Sequence, residues 1–328
     1  MMDRSNTRRR DRDLARRGRM ERKRRIRRSR ALAVVAVLAM AGCSEMQGDT
    51  PGGNAAGAAV HCDIETKTMG LDDPLRETSG LAESRNKAGI YWSHNDSGRS
   101  PDVFALTAEG RSLGQVTVAG ARNRDWEDIA SGPCPGGGAA CLYLADTGNN
   151  DGDRTHVSLW VFPEPATTAR ATAAATEYRA RYPGAPTDIE SIAILPDGQV
   201  YLVSKGSNDP VVLYRWPTPL RKGTEATLER VRELAPRPAQ VGDRVTGASA
   251  TPDGRWVAVR TYAALAFYRT ADLLGGGRPA AQFDLDNLAE PQGEAVAMSN
   301  DGNVVLTSEG AGQGMPGNIS HLRCTLPQ

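Results

Sequence analysis

Histidine is scarce in this 328-residue chain: there are four, at His61, His94, His156 and His321. A Ser-His-Asp relay needs one of them within reach of a serine and an acid. Only His94 has a serine close by, Ser97, and no nucleophile-elbow motif surrounds the pair. Cysteines at Cys-x-x-Cys spacing are absent, which argues against structural zinc. A phosphate-binding glycine loop and a dinucleotide fingerprint are absent too; Gly275-Gly276-Gly277 reads as plain loop. Aromatic residues make up 5% of the chain, so stacking on sugars is thinly supplied, with Trp126 the best candidate. The apolar run at 31–41 covers eleven residues, well short of the ~20 that a helix needs to cross about 30 Å of hydrocarbon.

What precedes and follows that run gives it another meaning. Residues 1–30 hold fifteen Lys or Arg against four acids. A basic stretch, a short apolar stretch and small residues at its end form a secretory signal. The run closes on Met40-Ala41-Gly42-Cys43, which resembles the bacterial lipobox, with Met where Leu is usual. That resemblance implies that Cys43 is lipidated and becomes the mature N-terminus. The expected organisation is a signal peptide at 1–42, a lipidated small-residue tether at 43–59 and one domain at 60–328. A membrane-attached, extracytoplasmic protein follows, on the cell membrane or the outer membrane.

Removing the leader changes the charge. It contains fifteen of the 40 basic and four of the 39 acidic residues, leaving 25 basic against 35 acidic. Nucleic acid is disfavoured as a partner, because phosphate binding needs a basic surface; cations and basic partners suit this balance better. Four cysteines remain after Cys43 and allow three pairings. Cys134 and Cys141 flank Pro-Gly-Gly-Gly-Ala-Ala, the tip of a hairpin, while Cys62 and Cys324 lie at opposite ends of the domain. The expected bonds are Cys134–Cys141 and Cys62–Cys324, both permitted in an oxidising compartment.

A faint repeat organises the body. Ser79-Gly-Leu-Ala, Glu127-Asp-Ile-Ala, Glu190-Ser-Ile-Ala, Thr246-Gly-Ala-Ser and Glu294-Ala-Val-Ala follow one another at intervals of 48, 63, 56 and 48 residues. Such spacing suits four-stranded propeller blades with variable loops. Three of the units run into Asp-Gly turns, at Asp197-Gly198, Asp253-Gly254 and Asp301-Gly302, a strong hairpin signal. Two further β-rich runs follow in every unit, and a fourth in all but the last. The segment Val60–Met69 can supply the missing strand, so the predicted fold is an all-β propeller of five four-stranded blades. Pairing of the N- and C-terminal strands closes the ring and brings Cys62 to Cys324.

In such a ring the first-strand starts and the second-strand ends share one face. The channel mouth is therefore expected to gather Ser79, Glu127, Glu190, Thr246 and Glu294 with His94/Asn95/Asp96, Asp146, Lys205, Arg260 and Glu309. Crowded carboxylates raise one another's pKa unless something positive lies between them. Ca2+, with six to eight oxygen ligands, is one solution; internal pairing with Lys205 and Arg260, or plain solvation, are the others. The loop Asp146-Thr-Gly-Asn-Asn-Asp-Gly-Asp-Arg154 is a second candidate, offering Asp146, Asn149 and Asp151, though it lacks the EF-hand pattern.

Three segments carry a family resemblance: Asp125-Trp-Glu-Asp-Ile-Ala130, Tyr143-Leu-Ala-Asp-Thr-Gly-Asn-Asn150, and Tyr182-Pro-Gly followed by Asp188-Ile-Glu-Ser191. They resemble a bacterial family of exported propellers over roughly residues 76–216, itself distantly similar to the phytase-like, calcium-dependent propeller phosphoesterases. The resemblance implies that Glu127, Glu190, Glu294 and Asp146 gather Ca2+ and that Lys205 and Arg260 hold phosphate. Two functions follow as expectations. The first is a binding or scaffold module at the cell envelope, engaging an envelope protein or a small anionic ligand. The second is a Ca2+-dependent phosphoesterase.

Overall fold

The computed structural model describes residues 59–72, 75–166, 171–310 and 315–327. Cys43, the signal peptide and nearly all of the tether lie outside the described residues. The chain enters on β1 (His61–Gly70) and then builds blade after blade. The first blade is β2 (Thr78–Glu83), β3 (Ile90–Asn95), β4 (Asp102–Thr107) and β5 (Ser112–Ala119). The second is β6 (Trp126–Pro133), β7 (Ala140–Asp146), β8 (His156–Pro163) and, after β9 (Ala171–Ala174), β10 (Thr176–Arg181). The third is β11 (Ile189–Ile194), β12 (Val200–Ser204), β13 (Val211–Trp216) and, after β14 (Glu225–Thr227), β15 (Glu229–Ala235). The fourth is β16 (Val245–Ala250), β17 (Trp256–Thr261), β18 (Ala264–Arg269) and β19 (Ala281–Asp284), with a short helix α1 (Thr270–Gly275) before its last strand. The fifth is β20 (Gln292–Met298), β21 (Asn303–Glu309) and β22 (Asn318–Thr325), completed by β1. This is a five-bladed β-propeller.

The ring closes at its own termini. β1 runs antiparallel to β22 in a register that sets Cys62 opposite Cys324, and the two are disulfide-bonded, as are Cys134 and Cys141. The first strands touch around the ring: β2 meets β6, β6 meets β11, β11 meets β16, β16 meets β20 and β20 returns to β2. Apolar residues on both faces of each sheet fill the gaps between neighbouring blades. Trp92 and Ile129 lie between the first and second, Tyr143 and Leu202 between the second and third. Val203 and Val259 lie between the third and fourth, Phe267 and Leu306 between the fourth and fifth, Tyr91 and Val305 between the fifth and first. Five satellite cores thus replace one central core, and only short outer edges are left to each blade.

Local chemistry sets the hairpins. Gly198, Gly254 and Gly302 have φ of 81°, 72° and 82°, where a side chain would be strained, and their N–H groups close the turns on Leu195, Thr251 and Ser299. Two strands were not foreseen. β9 adds parallel to the outer edge of β5, and β14 does the same on β10. Both come from long third-to-fourth connections that reach back and cover the preceding blade's edge. Helix α1, also unforeseen, ends on Gly276 at φ 96°, a left-handed cap.

Candidate functional site

All five first strands carry a break in register at the same place. The shifts fall at Thr78/Leu81, Trp126/Asp128, Ile189/Ser191, Val245/Gly247 and Gly293/Ala295. The residues inside these bulges are Ser79–Gly80, Glu127, Glu190, Thr246 and Glu294, so the repeat unit read from the sequence is a β-bulge. A bulge re-aims a side chain out of the ladder, and here it delivers one residue per blade to the channel mouth.

Five carboxylates cluster there. One oxygen from each of Asp96, Asp125 and Glu127 lies within 4.8 Å of the others, and the same holds for Glu127, Asp188 and Glu190. Glu127 belongs to both groups. It is 5% exposed, and its Oε1 has no hydrogen-bond partner. The backbone presses in from one side: a Cβ on Gly148 would stand 1.8 Å from Glu127 Oε1 and 2.5 Å from Asp125 Oδ2. Asp188 accepts from the Asn149 N–H at 2.7 Å, which ties the third blade to the loop of the second. Lys205, at the end of β12, donates to Glu190 Oε1 at 2.7 Å and lies 3.8 Å from Asp188 Oδ2.

The electrostatics follow from that crowding. Burial, then Glu190, Asp96 and Asp125, push the Glu127 carboxyl well above the usual range, against the pull of Lys205. Burial also pushes Glu190 well above it, with Asp188 and Glu294 adding to the push and Lys205 opposing. Burial, Asp96 and Asp188 raise Asp125 to about 6, and burial raises Asp96. Burial alone would pull the Lys205 ammonium down, but Glu190, Tyr262, Glu127 and Asp188 keep it above its ordinary value. The two triads therefore differ: Lys205 pairs directly with Asp188 and Glu190, while Asp96, Asp125 and Glu127 have no ion-pair partner among the described residues, Lys205 acting on Asp96 and Glu127 only at longer range. Such a set takes up either protons or a metal ion. Its donors are all hard oxygens, as Ca2+ or Mg2+ requires, and the unpartnered Glu127 oxygen fits that use.

Across the mouth, Glu294 accepts from Gln292 Nε2 at 2.6 Å, and burial with Glu309 raises it to about 8. Glu309 and Tyr262 stand near it. Arg260 is elsewhere: wholly buried, it pairs with Glu290 and donates to the Ala295 and Thr307 carbonyls. The Asp146 loop folds around its own arginine. Arg154 reaches Asp146 Oδ1 at 2.6 Å and the Gly148 carbonyl at 2.9 Å, and its N–H donates to Asn149 Oδ1 at 3.0 Å. Asp151 is exposed. Arg154 thus takes Oδ1 of Asp146 and of Asn149, while Asp146 Oδ1 also accepts the Asp125 N–H at 3.2 Å and its Oδ2 the Trp160 indole N–H at 3.5 Å. His94 is buried, set edge-on to Trp126 of the next blade at 5.7 Å, and burial lowers it to about 4.

Two ligand-set residues, Asp125 and Asp188, were missed although Asp-x-Glu recurs at Asp125-Trp-Glu127 and Asp188-Ile-Glu190. Asp128 was missed as well. Its Oδ1 accepts from Ile129 N at 2.8 Å and its Oδ2 from Ile192 N at 3.0 Å and Ala248 N at 3.4 Å, with the Leu81 N–H as a further donor. One carboxylate thereby bridges four blades.

The fold and site define a propeller with acidic residues able to hold a metal ion. No protein-family profile matches the chain, and no curated protein matches it in sequence. Among solved structures, the PQQ-bound aldose sugar dehydrogenase of Streptomyces coelicolor aligns at a TM-score of 0.50 and 12% identity, covering 82% of this chain and 100% of that one. A putative 6-phosphogluconolactonase from Bacteroides uniformis aligns at a TM-score of 0.37 and 15% identity, covering 74% of this chain and 66% of that one. The first likeness is one of fold. No helix among the described residues is long and apolar enough to cross a membrane, and the two disulfides suit an oxidising, extracytoplasmic setting.

Proposed function

We propose that this chain is an envelope binding module, tethered by a lipid on Cys43, that holds Ca2+ at the acidic mouth and uses it to engage an anionic ligand or an envelope protein. The observation that carries the reading is Glu127: a buried carboxylate with one oxygen unpartnered, shared by two acidic triads. A buried charge without a partner is costly, and a hard cation among Asp96, Asp125 and Glu127 relieves it. Asp188 and Glu190, already joined to Lys205, form the second wall. A bound Ca2+ would offset part of the cluster's negative charge and offer its remaining coordination positions to carboxylate or phosphate oxygens.

Melting with Ca2+ and with chelator tests this. Ligand linkage raises stability by about 2.7 kcal/mol at a hundredfold excess over Kd. Asp125→Asn and Glu127→Gln should abolish the rise; a midpoint indifferent to both Ca2+ and chelator removes the reading. The lipid is tested by detergent partitioning of the full chain against Cys43→Ser, which should move to the aqueous phase. The phosphoesterase alternative loses one of its two expected phosphate holders, because Arg260 is engaged by Glu290. Turnover of a generic phosphate ester that needs Ca2+ and disappears in Glu190→Gln would restore it.

A further inference from the structure

The acidic mouth uses the N-terminal ends of the first strands. Beyond the Asp128 bridge, their C-terminal ends line a cavity of about 750 Å³. That volume lies within the range of small-molecule pockets, which pair an apolar lining with a few placed polar groups. Ala82, Ala130, Ala248 and Met298 give this cavity its apolar surface, and their small average size is what leaves the space open. Arg85 and Arg323 are the two arginines of its lining. Arg323 is engaged, 3.2 Å from both Glu65 and Asp301. Arg85 is not engaged in the same way: its Nε is buried and has no hydrogen-bond partner, while the Glu164 and Glu83 carboxylates favour its charge from a longer distance. The nearby Glu164 carboxylate is taken up by the Arg85 N–H at 3.1 Å, the Trp92 indole N–H at 3.1 Å and the Ser84 hydroxyl.

We propose that this cavity is a second ligand site, for a compact organic monocarboxylate whose anionic end pairs with Arg85 and whose apolar body lies on Ala82, Ala130, Ala248 and Met298. A guanidinium is suited to carboxylate because its N–H groups match the two oxygens. Selection for a single charge comes from Glu83, two residues before Arg85 on the same wall of the cavity. A dianion would meet that carboxylate with its second charge, and Arg323, the other arginine of the lining, is already held by Glu65 and Asp301. The site is independent of the metal reading, since none of the five mouth carboxylates lines it.

The test is calorimetry with cinnamate, naphthoate and decanoate, each beside its neutral amide, on the folded chain in the presence of chelator. The acids should bind, and the amides should bind about tenfold more weakly, the scale of one charge-assisted hydrogen bond. Arg85→Gln should lose the same factor for the acids and leave the amides unchanged. Glu83→Gln, which removes the competing negative charge, should tighten the acids, and Asp125→Asn at the other mouth should leave them unaffected. The proposal is overturned if no acid binds the folded wild type. It is also overturned if acids and amides bind alike, or if Arg85→Gln binds the acids as the wild type does.

Discussion

Asp128 and Ala248 stand 120 positions apart in the chain, on the second and fourth blades, yet the Ala248 N–H donates to Asp128 Oδ2 at 3.4 Å. The same oxygen takes the Ile192 N–H of the third blade, and Asp128 is fully buried. A propeller's first strands are the inner edges of its sheets, so some of their N–H groups face the axis where no sheet satisfies them. Here one carboxylate satisfies several at once. Asp128→Ala should therefore strand buried donors in four blades and cost on the order of 3–5 kcal/mol. Asp128→Asn, keeping one acceptor oxygen, should cost less. Urea unfolding reads both, and an alanine variant within about 0.5 kcal/mol of wild type would mean that packing alone holds the axis.

The two disulfides should differ in worth. Cys62–Cys324 closes a separation of 262 residues and Cys134–Cys141 one of seven. If cross-links act by restricting the unfolded chain, the first contributes about 5 kcal/mol and the second about 2. Cys62→Ser with Cys324→Ser should thus lower the unfolding midpoint far more than Cys134→Ser with Cys141→Ser. Equal effects would show that ring closure is secured by the β1–β22 pairing rather than by the covalent bond.

Much of this architecture was legible because it is written locally. Asp-Gly turns, short β-rich apolar runs and a recurring acidic or hydroxyl residue mark the blades, and the terminal cysteines imply the closing strand. Partner choice was not legible. Arg260 has the position expected of a mouth residue, but Glu290, three residues before the bulge in the next blade, claims it. Asp146 likewise sits at a second-strand end, and Arg154 from the far side of its loop takes it. Asp128 lies inside a segment that was recognised, yet its role depends on a bulge that turns two consecutive residues, Glu127 and Asp128, to the inside. Alternation alone would send one of them out.

Stability should depend on pH in a direction opposite to that of a salt-bridged carboxylate. Asp125 and Glu294 have folded pKa values above their unfolded ones, so folding takes up protons between the two. Their stabilisation is complete below the unfolded value and is lost as pH rises through the folded one. The windows are 3.8 to about 6 for Asp125 and 4.5 to about 8 for Glu294. With chelator, the melting point should fall across both. With saturating Ca2+ the lower window should flatten, since the cation favours ionised Asp125, while the slope from Glu294, outside both triads, persists. A lower window unchanged by Ca2+ would place the ion away from Asp125.

Gly148 offers the sharpest test of where a cation is held. It carries no charge and donates no ligand, so its substitution leaves the donor set intact in composition. An added Cβ would nevertheless stand 1.8 Å from Glu127 Oε1 and 2.5 Å from the Asp125 carboxylate, closer than any real Cβ contact. Both side chains must then swing away, and the oxygens of the triad separate. Gly148→Ala should fold, with a moderate loss of about 1–3 kcal/mol from overpacking, and should lose the Ca2+-dependent rise in melting temperature. Gly184 has open space around its Cβ position and serves as the control: Gly184→Ala should respond to Ca2+ as the wild type does. A full response in Gly148→Ala would mean that the ion does not need Glu127 and Asp125 together. The shared carboxylate would then be stabilised by a proton instead of a metal.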